Sequence, residues 1–185
     1  MKFNEHSELL GQHAFLGASK YHWINYSDEK LIGTYTKYQA IQRGTDLHEL
    51  ASRCISLKVK LPKSKNAINM FVNDAIGFRM ISEQPLFYSI NAFGTADAIS
   101  FRDNFLRIHD LKTGVSRVSM AQLEIYTALF CLEYDIKPHE IGIELRIYQG
   151  DEIIVHEPEP ASISSIMEKI VRFDLHINKL KQEME

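Results

Sequence analysis

Two carboxylates near the middle of the 185-residue chain, Asp97 and Asp110, have the types and spacing to hold a divalent cation, and Lys112 lies beside them. They lie in the stretch from Gly94 to Tyr126, GTADAISFRDNFLRIHDLKTGVSRVSMAQLEIY. Two alternating apolar runs, AFGTADAISF and FLRIHDLKTG, are joined by the polar Arg102-Asp103-Asn104, a pattern that predicts a β-hairpin. Successive strand residues point to opposite faces, so Asp110 and Lys112 share a face of the second strand. Asp97, on the preceding strand, can lie opposite or diagonal to them. Two carboxylates and a lysine crowded together are costly unless a divalent cation neutralises the acids or the acids pair with the lysine. A helical run from Val118 to Tyr134 follows, with Gln122 and Tyr126 at i and i+4 on one face.

The elements that position this patch are legible on either side of it. Residues 1–12 are polar and predict irregular chain. Ser19 is a candidate N-cap for a short helix through Trp23 and Tyr26, with His13 or Ser19 bordering a cleft. A second helix begins near Tyr38 or after Gly44 and runs to about Leu57, with Leu47, Leu50, Ala51, Cys54 and Ile55 as its apolar stripe and His48 beside it. Pro62 breaks that helix, and Ser64 is the candidate cap of a third, through residues 66–78. Residues 79–90 alternate as a strand, with Pro85 calling for an edge or a bulge and Glu83 as a candidate outer ligand or partner of Lys112. After the hairpin and its helix, Ile141–Tyr148 and Glu152–His156 form a second hairpin around Gln149-Gly150-Asp151, with His156 at the surface. A last helix, Ser162 to about Lys181, carries Ile163, Ile166, Ile170, Phe173 and Ile177 in three- and four-residue steps, a face for the sheet or for another subunit of a homo-oligomer.

Four motifs in this order resemble the PD-(D/E)XK nuclease superfamily, in the branch of RecB-type nuclease domains and phage exonucleases. They are G-T-D-L-H-E-L-A (Gly44–Ala51), G-T-A-D (Gly94–Asp97), D-L-K-T-G (Asp110–Gly114) and Q-L-x-x-Y (Gln122–Tyr126). The stretch from His13 to Trp23 looks, more loosely, like the opening of phage-encoded members. The resemblance implies an α/β fold: a central mixed β-sheet of about five strands flanked by helices, the restriction-endonuclease-like core, in the order α-α-β-β-β-α-β-β-α. It implies one nuclease domain over 1–185, with 1–36 as an N-terminal helical segment and 161–183 as a C-terminal helical appendage. It further implies Mg²⁺ or Mn²⁺ held by His48, Asp97, Asp110 and the backbone carbonyl of Leu111, with Glu83 as an added candidate. Asp97, Asp110 and Lys112 would be catalytic, and Gln122 and Tyr126 would hold substrate. The expected partner is DNA, with a phage recombination protein such as a single-strand annealing or binding protein beside it. Competing expectations are a resolvase-like endonuclease of the same fold, a catalytically degenerate accessory protein, and a structural Asp110–Lys112 ion pair in a protein with no nucleic-acid role.

Composition narrows the field. The chain is 45% hydrophobic, enough for a normal core. No apolar run approaches the roughly 20 residues of a membrane span. MKFNEHSELL has no signal-peptide core, so the expected setting is cytoplasmic, the bacterial host's if phage-encoded. The 2 cysteines, Cys54 and Cys131, fall at apolar helix positions, too few to ligate an iron–sulfur cluster. Net charge is −3, but Lys37, Arg43, Arg53, Lys58, Lys60, Lys63 and Lys65 concentrate in 37–65, where phosphate contacts would fall, and residues 133–159 are acidic.

Overall fold

The computed structural model describes residues 14–184, so His13 and the expectation for residues 1–12 lie outside them. The chain divides into two compact units, 1–43 and 44–185. In the first, a 3-10 stretch spans Ala18–Asn25. Gly17, not Ser19, precedes it, and no side chain caps it. Trp23 Nε1 instead donates to the Gly17 carbonyl at 3.1 Å, tying the stretch to its own start. Phe15 packs edge-on against Tyr35 at 5.0 Å between ring centres.

Helix α1 (Asp28–Leu57) starts well before the expected Tyr38 and ends at Leu57. Its last turns bury Ala51, Cys54 and Ile55, whereas Leu50 is exposed, because the buried stripe is narrower than the apolar pattern. Helix α2 (Ala67–Gly77) is capped by Asn66, whose Oδ1 accepts from the Ile68 N–H at 3.2 Å. Ser64 sits one step back, accepting from the Asn66 N–H, because the helix starts later than its position would cap.

The second unit is built on one five-stranded sheet in the order β1-β2-β3-β4-β5. The strands are β1 (Ile81–Ser89), β2 (Ala92–Arg102), β3 (Phe105–Lys112), β4 (Gly142–Gln149) and β5 (Glu152–His156). Only β3 and β4 pair in parallel; the other neighbours are antiparallel, so the sheet is mixed. The β2–β3 turn is the two residues Asp103 and Asn104, at φ of 50° and 56°. Positive φ at both central residues marks the hairpin turn whose twist matches the strands, and Asp and Asn tolerate it. Helix α3 (Ala121–Glu133) carries the chain from β3 across to β4, as a parallel pair requires. A 3-10 turn over Pro138–Glu140 leads into β4. Helix α4 (Pro160–Met184) closes the chain.

The result is three layers. Leu106, Ile108, Leu145 and Ile147 face α3 and the first half of α4, which buries Ile163 among them. Ala98, Leu111 and Tyr148 face the other way, against Ala51 and Ile55 of α1 and Phe71 and Val72 of α2. Cys54 and Cys131 are buried free thiols, one in each layer. Phe173, Leu175 and Leu180, in the second half of α4, are exposed. No helix among the described residues is long and apolar enough to cross a membrane.

Candidate metal and phosphate site

The candidate residues converge where the sheet opens. The β2–β3 ladder runs from Arg102↔Phe105 to Ala98↔His109 and stops. The next step of the same register sets Asp97 opposite Asp110. On the other side of β2, Ser82↔Ala98 and Gln84↔Ala96 are paired, and between them Glu83 faces Asp97 without pairing. Three carboxylates therefore occupy one row across β1, β2 and β3. The row replaces ladder contacts at the point where the strands part.

Alternation along β1 slips at this row. Ile81, Gln84 and Leu86 line one cavity with Phe130 of α3. Ser82 Oγ points to the other face and meets Ser52 Oγ of α1 at 3.0 Å. A regular strand would put 81, 83 and 85 on one face, so the expected alternation of Glu83 with its neighbours is broken. Glu83 absorbs the slip with φ of 51°. For a glutamate that conformation costs on the order of 1–3 kcal/mol and persists only when its surroundings impose it.

Around the row the side chains close up. His48, Glu83 and Asp97 each present a ligand atom within 4.8 Å of the others. His48 Nδ1 lies 3.4 Å from Asp97 Oδ2. The same Oδ2 accepts the Leu111 N–H at 2.9 Å. In a strand the N–H and C=O of one residue leave on the same side, so the Leu111 carbonyl is also turned toward β2. Lys112 Nζ donates to Asp110 Oδ1 at 3.1 Å and lies 3.0 Å from Oδ2, which it meets without hydrogen-bonding geometry. Asp110 Oδ2 is thus buried with no hydrogen-bond donor. Lys112 Nζ also donates to Gln122 Oε1 at 2.8 Å, and Gln122 Nε2 donates to the Tyr126 hydroxyl at 3.0 Å. The lysine, which can only donate, fixes which end of the amide faces it. Lys112 makes its ion pair with Asp110, not with Glu83, because Glu83 stands on the far side of β2.

Two motif glycines have a steric reason. A Cβ on Gly94 would lie 2.7 Å from Tyr126 Cε1, and one on Gly44 would lie 2.9 Å from Thr113 Oγ1. The first lets α3 bring Tyr126 down onto β2. The second lets α1 pass the end of β3 and carry His48 over Asp97.

The electrostatics are those of crowded acids. Burial and the charge of Asp97 raise the Asp110 carboxyl above its ordinary range, against the opposing pull of Lys112. Glu83 is raised by burial and by Asp97. The hydrogen bond to Asp97 raises His48, and burial works against it. A divalent cation fits this set. It would neutralise the row and give the bare Asp110 oxygen a partner, and carboxylates with one imidazole suit Mg²⁺ or Mn²⁺. Asp110 itself falls outside the tight His48–Glu83–Asp97 group.

Sequence reasoning missed two clusters. His156, at the surface as expected, stands 3.1 Å from Glu124 Oε1 of α3. Behind the site, His109 is fully buried and 3.2 Å from the Tyr148 hydroxyl, which donates to Asp74 Oδ2 at 2.8 Å. Residues 74, 109 and 148 are too far apart in sequence for any local spacing to join them. The hydroxyls of Ser52 and Ser56 stand beside His48, at i+4 and i+8 of the same helix. No family model, no curated protein and no solved structure matches this chain.

Proposed function

We propose that this protein is a metal-dependent deoxyribonuclease of the PD-(D/E)XK kind, an exonuclease of the RecB-type and phage branch that hydrolyses phosphodiester bonds in recombination or repair. One observation carries the reading: six side chains singled out by four separate motifs, on four different elements, fall into one cluster around the opened β2–β3 fork, and Glu83 of β1 joins them there. A structural ion pair would need only Asp110 and Lys112. It would not call for a histidine, two further acids and an oriented amide in the same place.

In this reading His48, Glu83, Asp97, Asp110 and the Leu111 carbonyl hold Mg²⁺ or Mn²⁺. Such an ion, when bound, polarises phosphoryl oxygens and makes water a stronger nucleophile at neutral pH. The chain's own residues do the rest. Lys112 has three donors, of which Asp110 and Gln122 take two; the third is available to a non-bridging phosphate oxygen or to the attacking water. Gln122 holds Lys112 and Tyr126 at a fixed separation. The Tyr126 oxygen accepts from Gln122, so its own proton is free to donate to a phosphate. Asp110, whose carboxyl burial and Asp97 push upward, would have its charge stabilised by a bound cation.

Digestion of end-labelled linear DNA beside circular DNA, with Mg²⁺ or Mn²⁺, tests the proposal. Loss of the linear substrate with survival of the circle supports an exonuclease. Cleavage of both assigns an endonuclease. Cleavage of neither, or full activity in EDTA, refutes the reading.

A further inference from the structure

The site opens sideways into a groove of about 580 Å³ along one flank of α1, lined by Thr45, His48, Glu49, Ser52, Arg53, Ser56, Leu57 and Glu83. His48, Ser52 and Ser56 follow one another at four-residue steps, and Glu49 and Arg53 form the next row. From His48 to Ser56 the helix rises about 12 Å, against about 3.4 Å per nucleotide along a duplex strand. Ser82 Oγ reaches Ser52 Oγ at 3.0 Å and Ser56 Oγ at 3.3 Å, so β1 adds a hydroxyl to the same wall. Arg53 is exposed, and no ion pair among the described residues engages it. Lys58 and Lys60 follow beyond the groove's end, both exposed.

We infer that this groove is a track for the sugar–phosphate backbone of the DNA strand flanking the scissile bond, about three nucleotides long, and that it reads no base. The inference rests on the nuclease reading of the site. Its chemistry suits backbone. Hydroxyls and a guanidinium are among the groups that contact phosphate and sugar. The groove has no Phe, Tyr or Trp ring on which a base could stack, its one imidazole, His48, is engaged with Asp97, and it has no Asn or Gln to pair with a base edge. Of its two acids, Glu83 lies where the cation would neutralise it, and Glu49 opposes phosphate with or without metal. Arg53 is therefore its one cationic contact, and Ser56 is an exposed hydroxyl at the far end of the row from His48.

Steady-state cleavage of two linear DNAs of unrelated sequence tests it, over 50–200 mM salt, with the wild type, Arg53→Gln, Ser56→Ala and the control Lys169→Gln, an exposed α4 residue. Arg53→Gln is expected to raise KM about fivefold near 0.15 M salt and to flatten the log–log salt slope by about one, one phosphate contact's share of counterion release. Its kcat should stay within twofold, and the loss should be equal for both sequences. Ser56→Ala should raise KM with no change of slope, and Lys169→Gln should change neither. If the wild type cleaves while Arg53→Gln and Ser56→Ala keep its KM and slope, or if the loss differs between the two sequences, the track is overturned alone. A wild type that neither binds nor cleaves DNA overturns the nuclease reading and the track together.

Discussion

His109 and Asp110 are neighbours on one strand, yet they stand in opposite kinds of polar cluster. On the α2 side, His109, Tyr148, Asp74, Arg146 and Glu144 form a chain in which nearly every donor meets an acceptor. Tyr148 gives its one proton to Asp74, Arg146 reaches Asp74 at 3.3 Å and Glu144 at 3.0 Å, and Arg107 reaches Glu144 at 3.2 Å. With the tyrosine proton committed, His109 Nδ1 must carry its own hydrogen and donate it, which leaves Nε2 bare and without a partner. Burial and the charges of Arg146 and Arg107 push His109 down to about 3, so it stays neutral. At the opened fork, reached by His48 of α1 and Gln122 of α3, like charges are gathered instead, a carboxylate oxygen is left without a donor, and a glutamate is held in a left-handed conformation. The first cluster is arranged for the folded chain as it stands. The second lacks that pairing, and a bound cation, as proposed above, would supply it. Equal burial of polar groups therefore carries opposite meanings, and the sign of the neighbouring charges tells them apart.

The comparison can be broken most sharply at Asp110. Asp110→Asn should abolish cleavage while leaving the metal-free melting temperature unchanged or raised, since it removes a desolvated charge from a crowded row; residual turnover near wild type would place Asp110 with the structural cluster. Next in size is Lys112→Ala, expected to slow single-turnover cleavage at saturating Mg²⁺ by about 10²–10³ while metal binding is kept. Lys112→Arg should not restore the full rate, because a planar fork does not replace a compact ammonium. A rate within a few-fold of wild type would reduce Lys112 to an ion-pair partner. Tyr148→Phe acts on the other side. It strands the His109 N–H and one Asp74 bond and should cost about 1–3 kcal/mol in denaturant unfolding, with turnover of the folded enzyme unchanged.

A further effect is in acid. His109 binds its proton at about 6.5 when unfolded and only at about 3 when folded, so its contribution to stability is present above 6.5 and is lost as pH falls toward 3. Asp110 and Glu83 have raised folded values, so their contribution runs the other way, present in acid and lost as pH rises. The two clusters thus oppose each other on acidification. Metal-free Asp110→Asn should lose stability more steeply than wild type between pH 6.5 and 3, and parallel melting curves for the two would show that Asp110 is not raised.

Much of this was legible before any fold was at hand. Period-two alternation around Asp103-Asn104 gave the hairpin, and a two-residue offset put Asp110 and Lys112 on one face. The i, i+4 spacing placed Gln122 with Tyr126. The less legible features are those where local and distant forces compete. Helix α1 continues ten residues upstream of its expected start at Tyr38, where no apolar stripe announced it. The caps of α2 moved from Ser64 to Asn66, a shift smaller than a pattern can resolve.

The sequence by itself determined the order and type of the elements, and which residues share a strand face or a helix face, because those follow from the periods of the backbone. The tertiary structure decided everything that joins one element to another. It ended the β2–β3 ladder at Asp97, slipped β1 at Glu83, set His48 3.4 Å from Asp97, and closed Lys112 onto Gln122 rather than Glu83. It also sealed His109 behind the site with partners from α2 and β4. Those contacts depend on how layers pack and where strands part, and packing distances are not written in the spacing of residues along one strand or helix.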